Sequence, residues 1–129
     1  MREAVAVLQQ IPGLGDFFSS QVAVDLRWMK FGQHWPDRDT WAHAGPGAQL
    51  GLALLHRRGP LTQVPQPWAL ARMLELQQIV QAELGRHLIL TDIQNACGCE
   101  FSKYARGWSG GRMKRKYQPA GAKRKRAAA

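Results

Sequence analysis

Residues that could handle a phosphate gather toward the end of the chain. Asp92, Asn95, Glu100, Lys103, Tyr104 and Arg106 fall within about four turns of what reads as the last helix. Lys103 and Arg106 can stabilise charge developing on a phosphate, and Glu100 or Asp92 can take a proton from a nucleophile. Glu100 also lies three residues before Lys103, close enough on one helix to pair with it, so a solvated face with one ion pair explains the same residues. Near the other end, Gln10-Ile11-Pro12-Gly13-Leu14-Gly15-Asp16-Phe17-Phe18 sets two glycines in a Pro-started turn. Glycine leaves backbone N–H groups uncovered, and a helix starting at about Asp16 would aim its positive end at the turn. Pro12, Gly13, Leu14 and Gly15 thus form a candidate cradle for a DNA phosphate, or else a plain link between packed helices. By analogy with other hairpins of this sort, the hairpin carbonyls are also a candidate site for a monovalent cation. His43-Ala44-Gly45-Pro46-Gly47 is a second glycine bend before a helix, and His43, Gly45, Pro46 and Gly47 are a candidate loop site there. Cys97 and Cys99 point roughly 200° apart on a helix, with no His near in sequence, so they read as structural thiols and not as metal ligands.

These residues need helices to position them. Residues 2–11 read as a first helix, with Val5, Leu8 and Ile11 on one face. Residues 16–30 read as a second, with Asp16 as N-cap and a repeat at Phe18, Val22 and Asp25-Leu26. Ser19, Ser20 and Ala23 are small enough for the two helices to approach closely. A loop over 31–47, packed down by Trp35 and Trp41, leads to a short helix over 48–57 that Gly59-Pro60 would end. Pro65 and Pro67 open a long amphipathic helix to Leu84, with Gly85 as its stop and Ala69, Met73, Leu76, Val80 and Leu84 as its buried stripe. Thr91-Asp92-Ile93-Gln94 matches a capping box and begins the last helix, whose stripe is Ile93, Cys97, Phe101 and Tyr104. The opposite faces would then show Asp92, Asn95, Cys99, Ser102, Lys103 and Arg106. No strand and no internal repeat stands out, so the fold class is all-α.

The 129 residues suit one domain over 1–117, followed by a disordered basic tail over 118–129. The net charge of +9 is unevenly placed. Residues 1–100 carry 8 Lys and Arg against 9 Asp and Glu, whereas residues 101–129 carry 10 Lys and Arg and no acid. Arg112, Lys114, Arg115 and Lys116 are therefore candidate DNA-backbone contacts, drawn to phosphate without regard to sequence. No run of 18 apolar residues and no signal peptide is present, and two cysteines one residue apart do not staple a fold. A reducing cytoplasm is the expected compartment. There is no Walker A motif, so the chain is not itself a P-loop kinase.

Three stretches together resemble a known family. Ile11 to Phe18 followed by Gln21-Val22-Ala23-Val24-Asp25-Leu26 looks like its hairpin and second helix. Ala44-Gly45-Pro46-Gly47-Ala48 with Gly51-Leu52 looks like its central loop. Asp92-Ile93-Gln94-Asn95 with Cys99-Glu100-Phe101-Ser102-Lys103-Tyr104 looks like its last helix. The family is the alpha-glutamyl/putrescinyl thymine pyrophosphorylases, with the similar helical domain of 5-hydroxymethyluracil DNA kinases, and the resemblance spans residues 4–117. It implies a helix-hairpin-helix, DNA-glycosylase-like domain in phage or bacterial thymine hypermodification. There an amine displaces pyrophosphate from the modified base. Mapped onto this sequence as our own assignment, Lys103, Arg106 and Arg112 would hold the leaving pyrophosphate, Glu100 or Asp92 would deprotonate the amine, and Asn95 and Tyr104 would position the base or the carboxylate. The family's domain extends further at its N-terminal side, and Gly98 interrupts the helix before Glu100. A split member completed by a second chain is therefore an expectation. Alternatives are a non-catalytic DNA-binding domain working with a P-loop DNA kinase, and a DNA glycosylase. The glycosylase lacks the expected helix-start carboxylate here, since Asp37 and Asp39 lie earlier in the loop.

Overall fold

The computed structural model describes residues 1–58 and 64–108, and every regular element among them is helical. Helix α1 spans Arg2–Leu8 and α2 spans Asp16–Leu26. A single 3₁₀ turn, Gly32–His34, punctuates the following loop. Helix α3 is Pro46–Leu55 and α4 is Gln66–Leu84. The last helix is continuous but changes pitch: α5 over Leu90–Ile93, a π-helical segment over Gln94–Glu100, then α6 over Phe101–Trp108.

Two apolar clusters hold these helices. The larger joins α3, α4 and α5 through Ala48, Leu52, Ala53, Ala69, Met73, Leu90 and Ile93. The smaller sits under the α1–α2 pair, where Met1, Val5 and Ala23 are buried and Trp35 and Trp41 pack on them. The loop tryptophans therefore hold down the 31–47 segment, as their type and position suggest. Ser19, Ser20 and Ala23 are all buried, and Ala23 packs with Met1 and Val5 where α2 meets α1.

The apolar periodicity overstates what is covered. Ile11, Phe18 and Leu84 are exposed, as is Phe17. On α4 the buried positions are Ala69, Met73 and Gln77. Gln77 is tolerated because its Nε2 donates to the Leu88 carbonyl at 2.8 Å. Gly85 ends α4 in the left-handed conformation at φ 62°, as its position after Leu84 suggests.

The end of α3 differs from expectation in its chemistry. Helix α3 stops before Gly59-Pro60, which lie outside the described residues, through a Schellman closure. Arg57 N–H donates to Leu54 and Arg58 N–H to Ala53. Arg57 carries the left-handed residue at φ 54°, a place usually given to glycine.

Loop residues are tied by charge. Asp37 accepts the Met1 ammonium and the Arg2 N–H, and His87 Nε2 meets Asp39 Oδ1 at 2.8 Å. Burial pushes the Asp37 carboxyl up, but the ammonium and the Arg2 N–H outweigh it and hold the group below its ordinary value. No described helix is long and apolar enough to cross a membrane.

Candidate nucleic-acid interface

The hairpin between α1 and α2 is a type II turn over Ile11–Leu14. Leu14 N–H donates to the Ile11 carbonyl at 3.0 Å, Pro12 takes the second position, and Gly13 takes the third at φ 89°. Gly13 is thus demanded by backbone conformation. Gly15 is not: its φ of −76° suits any residue, and a Cβ built there meets nothing within 4 Å. Gly15 is also the N-cap of α2, so it supplies no side-chain acceptor to the first amides of that helix. Asp16, expected as the cap, lies one residue inside the helix and instead accepts Gln9 Nε2 at 2.7 Å. Pro12, Gly13 and Gly15 are exposed and Leu14 is half-buried, leaving the turn open to solvent. Among the hairpin carbonyls suited to a cation, Ile11 accepts Leu14 N–H and Leu14 accepts the Ser19 hydroxyl.

The second bend is built differently. Gly45 is buried because the Phe17 ring lies against it, 3.1 Å from where a Cβ would stand. Gly47 faces Cys99, with its Cβ position 3.4 Å from the sulfur. Pro46 is exposed at the first position of α3, and His43 is half-buried. Gln66 clamps the bend by accepting Ala44 N–H and donating to the Ala44 carbonyl, to which Gln49 Nε2 also donates. Burial lowers the His43 pKa below its ordinary value, and the Asp16 carboxylate pulls it part of the way back.

Where α3 crosses the π-helical segment, backbone meets backbone. A Cβ on Gly51 would stand 2.0 Å from the Gly98 carbonyl oxygen, and one on Gly98 would stand 2.7 Å from the Ala48 Cα. Gly98 reads in sequence as a weak point of the last helix. In the fold it is the contact that lets that helix seat against α3.

Contacts therefore run from the hairpin to the last helix. Phe17 lies on Gly45, Gly47 lies on Cys99, and Cys99 is followed by Glu100 and Lys103. Lys103 Nζ donates to Glu100 Oε1, the pairing their spacing suggests, and both are exposed. Asn95 and Arg106 are exposed on the same last helix. Tyr104 is 72% exposed and leaves the apolar stripe assigned to it. Ser102 and Cys99 are withdrawn from the surface: Ser102 is buried with its hydroxyl on the Cys99 carbonyl, and Cys99 is half-buried. Burial pushes both thiols up. At Cys99, Lys103 and the Ala48 N–H pull down and Glu100 pushes up further. Among the described residues no group of three His, Cys, Asp or Glu converges as a metal site would require.

Asp92 is partly exposed but already engaged. Arg27, at the end of α2, donates Nη1 to Thr91 Oγ1 and Nη2 to Asp92 Oδ1, both at 2.6 Å. Thr91 is consequently buried as an acceptor for Arg27, and Ile89, not Thr91, is the N-cap of α5. The Arg27 guanidinium also lies over the Trp28 ring, 4.6 Å from its centroid. Sequence reasoning missed this strut, because nothing local links residue 27 to residue 92. Asp37 and Asp39 hold the partners described above. Arg112, Lys114, Arg115 and Lys116 lie outside the described residues, as does the tail over 118–129.

A family model described as "5-hmdU DNA kinase, helical domain" matches residues 1–111. The chain belongs to this family. No curated protein and no solved structure matches it. For a 5-hmdU DNA kinase helical domain, the conspicuous features are an open glycine turn at one end of a run of contacts and an exposed cation-bearing helix at the other.

Proposed function

We propose that this chain is a DNA-binding helical module that holds 5-hydroxymethyluracil DNA for a kinase active site on another chain or domain. The observation that carries this reading is Gly15. Nothing stands within 4 Å of its Cβ position and no side chain caps α2, so besides serving as the N-cap this bare position lets a strand approach closely and take the uncapped N–H groups of α2. In this reading the α1–turn–α2 unit works as a helix-hairpin-helix in a glycosylase-like domain. Pro12, Gly13, Leu14 and Gly15 seat one phosphate, and the bend from His43 through Gly47 supports the hairpin from below. Arg112, Lys114, Arg115 and Lys116 extend the contact along the backbone, with residues 1–117 as the binding unit and 118–129 as a basic arm.

The test adds the full chain to a 5-hydroxymethyluracil DNA kinase and measures phosphate incorporated into modified duplex. The module should lower the DNA concentration needed for half-maximal rate. A chain that neither binds the duplex nor changes that concentration refutes the proposal.

A second reading is favoured by the Glu100–Lys103 pair standing one turn from the Cys99–Gly47 contact. It is the amine transfer onto pyrophosphorylated 5-hydroxymethyluracil that the resemblance to the thymine pyrophosphorylases implies. Lys103, Arg106 and Arg112 would hold pyrophosphate, Glu100 would take the amine proton, and Asn95 and Tyr104 would position the base. Asp92 suits the role of base less well, being engaged by Arg27. Here a candidate amine and pyrophosphorylated DNA are mixed with the protein, and digested nucleosides are read by mass spectrometry. Aminated thymidine supports transfer. Binding without that product leaves the module reading alone.

A further inference from the structure

Helix α6 ends in an aromatic pair to which the DNA-module reading gives no role, although amine transfer would use Tyr104 to position the base. Tyr104 and Trp108 are one helical turn apart and so share a face. They are 72% and 85% exposed, and Trp108 is the most exposed large apolar residue described. Their ring centroids are 6.5 Å apart and their planes are inclined at 59°. The opposite side of α6 carries the buried Ser102 and packs toward α3, so the pair looks outward from the fold.

We propose that Trp108, buttressed by Tyr104, is a ledge on which an unpaired nucleobase of DNA stacks. Charge selects this occupant over an apolar protein groove. Residues 101–129 carry 10 Lys and Arg and no acid, so the ledge sits in a stretch of chain that attracts a polyanion. Lys103 and Arg106 flank Tyr104 in sequence, and Lys103 is exposed beside it. The 59° inclination leaves no parallel slot between the rings, so a base lies on the outer face of the indole instead of being sandwiched. Bases inside an intact duplex already use both faces in stacking. The ledge therefore fits single-stranded or locally opened DNA, and it accepts any base, since each has a π-face. This rests on the DNA-binding reading and adds the state of the DNA that the module prefers.

The experiment measures fluorescence anisotropy of the full chain with a labelled single-stranded oligonucleotide and with a blunt duplex of the same sequence. Wild type, Trp108→Ala, Trp108→Phe and Lys103→Ala are compared, after circular dichroism has shown that each retains its helical signal. Trp108→Ala should weaken single-strand binding about 5- to 150-fold, with duplex affinity within about twofold of wild type and an unchanged salt slope. Trp108→Phe should restore most of the loss. Lys103→Ala should instead weaken both substrates and reduce the salt slope. Equal single-strand affinity for wild type and Trp108→Ala, or equal losses on both substrates, overturns the ledge while the duplex-binding reading stands. A wild-type chain that binds neither substrate overturns both.

Discussion

Gly13 and Gly15 are two residues apart in one turn, yet they should respond differently to the same substitution. At Gly13, φ is 89°, so an alanine Cβ would crowd its own backbone even though no neighbour lies within 4 Å. Gly13→Ala should cost about 1–2 kcal/mol of stability, a drop of several degrees in Tm for a domain of this size. At Gly15 the backbone is extended and the Cβ position is open. Alanine is a poorer N-cap than glycine by about 0.5–1 kcal/mol, and it removes about 0.4–1 kcal/mol of unfolded-chain entropy. The two nearly cancel, so Gly15→Ala should unfold within about 0.5 kcal/mol of wild type. Its DNA affinity should nevertheless fall. The methyl group would stand where a phosphate reaches the α2 amides, and a hydrogen bond to a charged group contributes about 1.5–3 kcal/mol, or about 10- to 150-fold. No cation is removed, so the slope of log K against log salt should not change. Urea unfolding and anisotropy on a duplex read the two halves. A folded Gly15→Ala that binds DNA like wild type refutes the seat at this turn, and a Gly15→Ala that unfolds several kcal/mol early refutes the open-space argument.

Other expectations follow from local geometry. Arg57→Gly should stabilise the chain by about 0.5–1 kcal/mol, because relief of the left-handed strain at φ 54° exceeds the entropy that glycine adds to the unfolded state; thermal unfolding checks it, and a lower Tm would contradict it. Arg27→Ala should destabilise by about 2 kcal/mol, less than for a fully buried pair because Asp92 is partly hydrated, and loosened amide exchange should appear at both α2 and α5. His43 binds its proton less readily when folded than when unfolded. Its contribution is therefore complete above about pH 6.5 and is lost as pH falls from there through the lower folded-state value. His43→Gln should flatten the stability profile across that window, and Asp16→Asn should lower the pKa of His43 further, as an NMR titration would register.

The sequence by itself determined the helical class, the placement of most helices and the turn. Pro12 before Gly13 encodes a type II turn locally, and Gly85 after a long amphipathic run encodes a stop. Small residues at 19, 20 and 23 mark the face of α2 that is buried. Each of these signals is complete within a few residues of chain. What only the tertiary structure decided depended on partners far away in sequence. Thr91 has the local grammar of a cap, but Arg27 takes its hydroxyl and the cap falls two residues earlier, at Ile89. Asp92 looks like a free acid until the same arginine reaches it. Gly98 looks like a defect until Gly51 and Ala48 arrive against it at backbone distance. The hairpin, the second bend and the Glu100–Lys103 turn each read as separate motifs. The Phe17–Gly45 and Gly47–Cys99 contacts link α2, the second bend and the last helix, because periodicity says which residues share a face and only packing says what that face meets.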